Sequence, residues 1–269
     1  MTDLRLGTWQ ETLDGGPSPV ADGSVRLILT SPPYDNARTY EGTNEPVDFG
    51  ALARFALRVL CPGGVLAMVL DGAVNDGVQS VTPYRVICEW AALEGWRFAQ
   101  CAAYARNGVP GTYPMLRKDH EPLILFVRDG AKHVHHPERI ARPARYSAKG
   151  KSGRRRNGST AHIALGVEEV DGVKLPGSIW DYGVVTAWTD SSPSTGHPAT
   201  FAEAFARDAV DVWSNPGDLV CDPFAGSATV GRACEDLGRR FVGAERVPKY
   251  HAIGMARLAQ RGLFGTGAP

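Results

Sequence analysis

Between Leu219 and Glu245 the chain reads strand, small-residue turn, helix, strand, acid, and that order admits few folds. Leu219-Val220-Cys221 is a short apolar run, and Asp222 to Thr229 is a turn of mostly small residues. A helical stretch to about Leu237 follows, and Arg240 to Ala244 is a second strand that ends at Glu245. Two strands joined through a helix lie parallel, with a right-handed crossover. A parallel sheet is covered on both faces, so the rest of the chain must supply more strands and more helices.

It does so in the same rhythm. Val25 to Leu29 continues in aliphatic residues without polar alternation, as a buried strand does. Asp48 caps a predicted helix from about Phe49 to Leu60, with Phe49, Leu52, Ala56, Val59 and Leu60 on its buried face. Cys61-Pro62-Gly63-Gly64 stops it, and Val65 to Leu70 is the next strand. Thr82 to Leu93 reads as a helix with Pro83 in its first turn, and Arg97–Tyr104 and Pro122–Val127 read as strands. Phe201, Phe205, Ala209 and Val212 form the core stripe of another helix, and Pro248 starts the last one, to about Arg261. The expected class is α/β: a mostly parallel sheet with helices on both faces. A length of 269 residues suits one large domain with a modest insertion.

Two places carry chemistry. At the end of the first strand, Ser31-Pro32-Pro33-Tyr34 replaces apolar residues with a hydroxyl, two prolines and an aromatic ring. Neither proline donates to a ladder and each fixes its own φ, so the chain leaves the sheet rigidly at a strand's carboxyl end. Open α/β sheets bind ligands there. Asp35 to Pro46, with Asn36, Arg38 and Tyr40, continues as a polar and aromatic loop over that edge. In the second place, Gly226 allows close backbone approach, and Glu245 stands where a carboxylate accepts both hydroxyls of a ribose. This is the logic of a nucleoside-containing cofactor. Gly226-Ser227-Ala228-Thr229-Val230-Gly231 lacks the first spacing of the dinucleotide fingerprint, and there is no Gly-Lys-Ser/Thr for a triphosphate.

Charge narrows the partner. A formal net charge of zero excludes a uniformly basic coat, but Arg139 to Arg156 holds eight Lys/Arg and no acid: Arg139, Arg142, Arg145, Lys149, Lys151, Arg154, Arg155 and Arg156. Glycine and serine punctuate this run and few large apolar residues accompany it, so it is expected to stay loose until it meets phosphate. No stretch approaches the ~20 apolar residues of a membrane span. Five cysteines are scattered without a Cys-x-x-Cys pair, and residues 1–5 show no basic segment leading into an apolar run. The expected setting is the cytoplasm. His120, His133, His135 and His136 invite a metal reading, but His135-His136 is followed by Pro137 and has no cysteine or carboxylate at ligand spacing, so no metal is expected.

Together the two motifs resemble the amino-methylating DNA methyltransferases that use S-adenosylmethionine. In that family Asp-Pro-Phe-x-Gly-Ser-Gly-Thr is the cofactor turn and Asp/Ser/Asn-Pro-Pro-Tyr/Phe the catalytic loop. Here they stand as Asp222, Pro223, Phe224, Ala225, Gly226, Ser227, Ala228, Thr229 and as Ser31, Pro32, Pro33, Tyr34. Pro62-Gly63-Gly64 before a strand, Asp119-His120-Glu121, His197-Pro198-Ala199-Thr200-Phe201 and Gly238-Arg239-Arg240-Phe241-Val242-Gly243 match as well. The catalytic loop comes first, then the basic insertion, then the cofactor turn, which is similar to the circularly permuted beta arrangement. The resemblance implies a seven-stranded, Rossmann-like methyltransferase sheet with an antiparallel hairpin at one edge. It implies a catalytic half (1–128), a target-recognition insertion (129–180) and a cofactor half (181–269). S-adenosylmethionine would be held by Asp222 to Ser227, Thr229, Glu245, His197 and Thr200. Duplex DNA would be held by Arg38, Tyr40 and the basic run, near the nucleoid, by a monomer or homodimer, with a cognate restriction endonuclease as a further partner.

In this reading Ser31 Oγ and the Pro32 carbonyl accept from an exocyclic amine, and Tyr34 stacks on a flipped base. No covalent nucleophile is needed, and the Pro-Cys pair of carbon-5 methylation is missing; Cys61-Pro62 has the reverse order. Ser31 resembles the cytosine-N4 enzymes; Asp or Asn is more usual for adenine N6. The alternatives are adenine N6, an RNA methyltransferase, or a catalytically silent nucleic-acid-binding protein of the same fold. Two departures stand out: Ala228 in place of the second glycine, and Gly7-Thr8 where many relatives have Gly-Asp.

Overall fold

A computed structural model describes residues 1–33, 46–105, 119–149, 166–182 and 202–260. Two compact units divide the chain: Met1–His136 with Ser178–Pro269, and Pro137–Gly177. The first is built on twice-repeated strand–helix–strand crossovers. Strand β1 (Thr2–Leu6) is followed by β2 (Val25–Thr30), helix α1 (Phe49–Val59) and β3 (Leu60–Val69). A two-residue pair, β4 (Val74–Asn75) and β5 (Val78–Gln79), leads to α2 (Thr82–Ala91), β6 (Trp96–Ala105) and β7 (His120–Arg128). The second unit contributes β8 (Arg142–Lys149) and β9 (Gly166–Lys174). The first unit then resumes with β10 (Ile179–Asp181), α3 (Glu203–Trp213), β11 (Leu219–Asp222), α4 (Thr229–Asp236), β12 (Arg240–Glu245) and α5 (Pro248–Ala259).

The main sheet runs β1-β12-β11-β2-β3-β7-β6-β10. From β1 to β3 every pair is parallel, and β7 alone opposes its neighbours. The Rossmann-like methyltransferase architecture expected from the residues is therefore what the chain adopts, with one addition. Three-residue β10 pairs parallel to β6, so the described sheet has eight strands and the antiparallel hairpin lies one strand in from the edge. Aromatic packing holds β10: Trp180 stacks on Trp213 of α3 at 5.2 Å, and Phe205 packs 4.5 Å from Tyr104 of β6.

Order reverses between β11 and β2. The crossover from β2 through α1 goes one way along the sheet, and that from β11 through α4 goes the other. The carboxyl ends of β2 and β11 therefore flank a topological switch point, where α/β sheets hold ligands. Beneath it the core is continuous. Leu52, Phe55, Ala56 and Val59 of α1, Val86 and Trp90 of α2, and Ile28, Leu66 and Phe126 of the sheet form one buried cluster. Asp48 Oδ1 accepts from Ala51 N at 2.8 Å, which makes it the cap of α1.

The basic run departs from expectation. Arg142–Lys149 is a strand and pairs antiparallel with β9, which carries Glu168, Glu169 and Asp171. Tyr146 stands opposite Glu169, and Ser147 opposite Glu168. A two-strand ladder satisfies the backbone groups that a loop would leave to water.

Candidate active site at the carboxyl edge of the sheet

Both motifs arrive at one place. Thr30 ends β2 and Asp222 ends β11, and the Thr30 hydroxyl donates to Asp222 Oδ1 at 2.7 Å. The same oxygen accepts from Phe224 N at 3.1 Å. Beyond Thr30 the chain turns out through half-buried Ser31, buried Pro32 and half-buried Pro33. The serine hydroxyl and the Pro32 carbonyl are thus carried on a segment anchored, one residue earlier, to Asp222, where β11 gives way to the turn that follows it.

The turn itself is closely held. Gly226 has φ 51°, a left-handed backbone that glycine adopts without strain, and it donates from its N–H to Glu245 Oε2 at 2.9 Å. Glu245 Oε1 accepts from Val247 N at 2.7 Å, so two amides orient the carboxylate at the end of β12. Each oxygen keeps a second lone pair, which is what paired ribose hydroxyls require. The carboxylate expected to meet the ribose is therefore preorganised rather than swinging on its side chain. Ala225, Gly226 and Ala228 keep side-chain bulk out of the turn beside it, so the residues present fit a nucleoside cofactor.

Burial sets the electrostatics. Asp222 is fully enclosed, and its carboxyl is pushed up from the ordinary 3.8 to about 7, chiefly by burial, with the charge of Glu245 adding to it. The Thr30 hydroxyl and the Phe224 amide pull the other way. Glu245 is also raised by burial, against the Val247 and Gly226 amides. Two carboxylates thus share a poorly hydrated edge, and hydrogen-bond donors do most to favour their ionised forms.

Other residues gather along the same edge. Asp71 follows β3 and accepts from Gly72 N at 2.7 Å. His120 and Glu121 open antiparallel β7, level with Ala105 and Tyr104 of β6. Gly7 N donates to the Glu245 carbonyl at 3.0 Å, which brings the end of β1 to the site. Thr8 is engaged locally, because its hydroxyl and its N–H both donate to Glu11 Oε2 and its hydroxyl accepts from Glu11 N, a capping box. The Cys61-Pro62 pair lies at the amino end of β3, the opposite edge of the sheet, which removes that pair from this site.

Tyr34, Arg38, Tyr40, His197, Thr200, Lys151, Arg154, Arg155 and Arg156 lie outside the described residues. Arg139 is exposed in a short 3-10 turn over Pro137–Ile140, and Arg142, Arg145 and Lys149 belong to β8. Sequence reasoning missed two contributors. Thr30 was visible only as a polar residue closing an apolar strand. Arg257 sits on α5 and donates from Nη1 to the Ser227 carbonyl (2.9 Å), Ser227 Oγ (2.9 Å) and Thr229 Oγ1 (3.1 Å). No local pattern marked it, because its partners lie 28 to 30 residues earlier in the chain. Among the described residues no group of three or more His, Cys, Asp or Glu could hold a metal, and no helix is long and apolar enough to cross a membrane.

Comparison with known proteins meets the same geometry. The DNA methylase family covering N6 and N4 amine methylation matches residues 25–256. The type II methyltransferase M.Cfr9I of Citrobacter freundii is 41% identical over 280 aligned residues, covering 88% of this chain and 82% of that one. The DNA adenine methyltransferase YhdJ of Escherichia coli K12 is 31% identical over 243 residues, covering 87% and 76%. The solved PvuII DNA methyltransferase, named cytosine-N4-specific, superposes with a TM-score of 0.68 at 18% identity, covering 95% of this chain and 86% of that one. Solved chains of this fold include complexes with S-adenosylmethionine.

Proposed function

We propose that this chain, which belongs to the N6/N4 DNA methylase family, methylates the N4 amine of a flipped cytosine in duplex DNA. Membership carries the activity class: it is an S-adenosylmethionine-dependent DNA methyltransferase. The bound cofactor supplies an electrophilic methyl group on a sulfonium. Glu245, fixed by two amides, would accept the ribose hydroxyls, and the turn from Asp222 to Thr229, with His197 and Thr200, would hold the rest of the cofactor.

Ser31 Oγ and the Pro32 carbonyl accept the two hydrogens of the target amine, which draws its lone pair out of conjugation and points it at the methyl group. Tyr34 stacks on the extruded base. Catalysis is then orientation plus hydrogen-bond acceptors aimed at a nitrogen that becomes positive. The observation that carries this reading is the Thr30–Asp222 hydrogen bond, which joins the amine-binding segment to the cofactor turn.

Ser31 favours cytosine, as does the cytosine-N4 specificity of the structurally similar PvuII enzyme. A second reading, adenine N6, is favoured by the 31% identity to YhdJ. Residues 129–180 are assigned to target recognition, with Arg139, Arg142, Arg145, Lys149, Lys151 and Arg154 to Arg156, together with Arg38 and Tyr40, as its phosphate and base contacts. Residues 1–128 and 181–269 form the catalytic and cofactor halves. In the same reading the enzyme works in the cytoplasm at the nucleoid, as monomer or homodimer. A cognate restriction endonuclease is supported by the resemblance alone.

The test is direct. The purified chain is incubated with labelled S-adenosylmethionine and mixed-sequence duplex DNA, which is then digested to nucleosides for mass spectrometry. Labelled N4-methylcytosine is expected; N6-methyladenine as the sole product would overturn the base assignment.

A further inference from the structure

The cofactor turn contains a non-glycine residue where its backbone asks for glycine. Ala228 has φ 59° and ψ 37°, the left-handed region, and immediately precedes α4. A Cβ there crowds the backbone, so an alanine persists only where its surroundings hold it. Those surroundings come from α5. At Gly254 an added Cβ would sit 3.3 Å from Ala228 Cβ, 3.3 Å from the Gly226 carbonyl oxygen and 2.7 Å from Leu4, so helix and turn are in direct contact. One helical turn further, the largely enclosed Arg257 side chain (13% exposed) bridges Ser227 and Thr229, the residues on either side of Ala228. Its Nη2 donates to Glu203 Oε1 at 2.6 Å, which fixes the guanidinium from the first residue of α3.

We propose that Arg257 is a positioning residue for cofactor binding: it grips Ser227 and Thr229 and so holds left-handed Ala228 between them. The effect reaches the cofactor through the backbone. Gly226 lies one residue before Ser227, and its N–H orients Glu245, so a turn that relaxes at Ala228 also releases the carboxylate that meets the ribose. The inference rests on the reading of Asp222–Thr229 as the cofactor turn.

A rescue experiment separates positioning from general support. S-adenosylmethionine affinity is measured by calorimetry for the wild type, Arg257→Met, Ala228→Gly and the double variant, with folding checked by circular dichroism. Arg257→Met is expected to weaken binding about tenfold, whereas the same change beside Ala228→Gly, where left-handed backbone needs no restraint, costs about threefold or less. If Arg257→Met fails to fold, Arg257→Lys, which keeps the charge and a single donor nitrogen, is carried through the same cycle with a smaller loss expected. Equal losses in both backgrounds, or no loss in either, overturn the proposal alone. Absence of cofactor binding by the folded wild type overturns the reading beneath it as well.

Discussion

Thr30 Oγ1 lies 2.7 Å from Asp222 Oδ1, and this one bond joins residues 192 positions apart at the meeting of the two functional motifs. Its acceptor is a buried carboxylate, so the hydroxyl favours the ionised form. Thr30→Val keeps the shape of the side chain and removes the donor. At pH 8 the variant should lose about 1.5–3 kcal/mol of stability in urea denaturation, the usual cost of a hydrogen bond to a charged group. Methyl transfer should slow as well, because Ser31 is the next residue. Thr30→Ser should restore both, and a valine variant with unaltered kinetics would disconnect the two motifs.

The pH dependence has a definite sign. Folded Asp222 holds its proton up to about pH 7, whereas an ordinary aspartate releases it near 3.8. The folded state therefore binds more protons than the unfolded state between those values, and stability falls as pH rises through that window. Burial of the ionised group opposes folding fully above pH 7 and not at all below about pH 4. Asp222→Asn should flatten this profile and match or exceed wild-type stability at pH 8, by an amount on the order of 4 kcal/mol at most. Denaturation series at pH 5 and pH 8 measure it, and an asparagine variant with the full wild-type slope would locate the titration elsewhere.

Much of this edge was legible in residue order because it depends on local pattern. Apolar runs, a turn of small residues, helical spacing and a terminal acid are each visible within one segment. The Thr30–Asp222 bond was not, because a side-chain contact between distant strand ends leaves no period in either strand. Strand β10 has three residues and is held by Trp180 against Trp213, too short a run to announce itself. The basic run was read by charge, and its strand character depends on a partner, Gly166–Lys174, that lies beyond a further stretch of glycine and arginine. Glu245 was placed correctly at the strand end, but its two amide donors come from Gly226 and Val247, and only the folded turn brings them to it.

Those two donors make Glu245 a stringent test of the cofactor edge. Glu245→Gln keeps the volume but replaces one acceptor oxygen with a donor, which faces the Gly226 or Val247 N–H. A buried amide left unmatched costs about 1–3 kcal/mol. Cofactor affinity should fall about tenfold or more, since one ribose acceptor is lost with it. Calorimetry beside urea denaturation reports both, and a glutamine variant that binds S-adenosylmethionine as tightly as the wild type would place the ribose elsewhere.

Thiol chemistry separates methylation of an amine from methylation of ring carbon 5. Cys221 and Cys234 are buried and their thiols are pushed up by burial, so neither forms a thiolate near neutral pH. Cys88 on α2 and Cys101 on β6 are exposed, and half-buried Cys61 lies at the amino end of β3, away from Ser31 and Asp222. Alkylation of the native protein should therefore label Cys88 and Cys101 readily, spare Cys221 and Cys234 until urea unfolds the chain, and leave methyl transfer essentially intact. Peptide mapping after iodoacetamide gives the order of labelling, and an assay on the same sample gives the activity. A carbon-5 enzyme would die with its attacking thiol, whereas an amine carries its own lone pair to the methyl group and needs from the protein only two acceptors and a rigid backbone. Loss of activity in step with labelling of any one cysteine would contradict the roles given to Ser31 and Pro32.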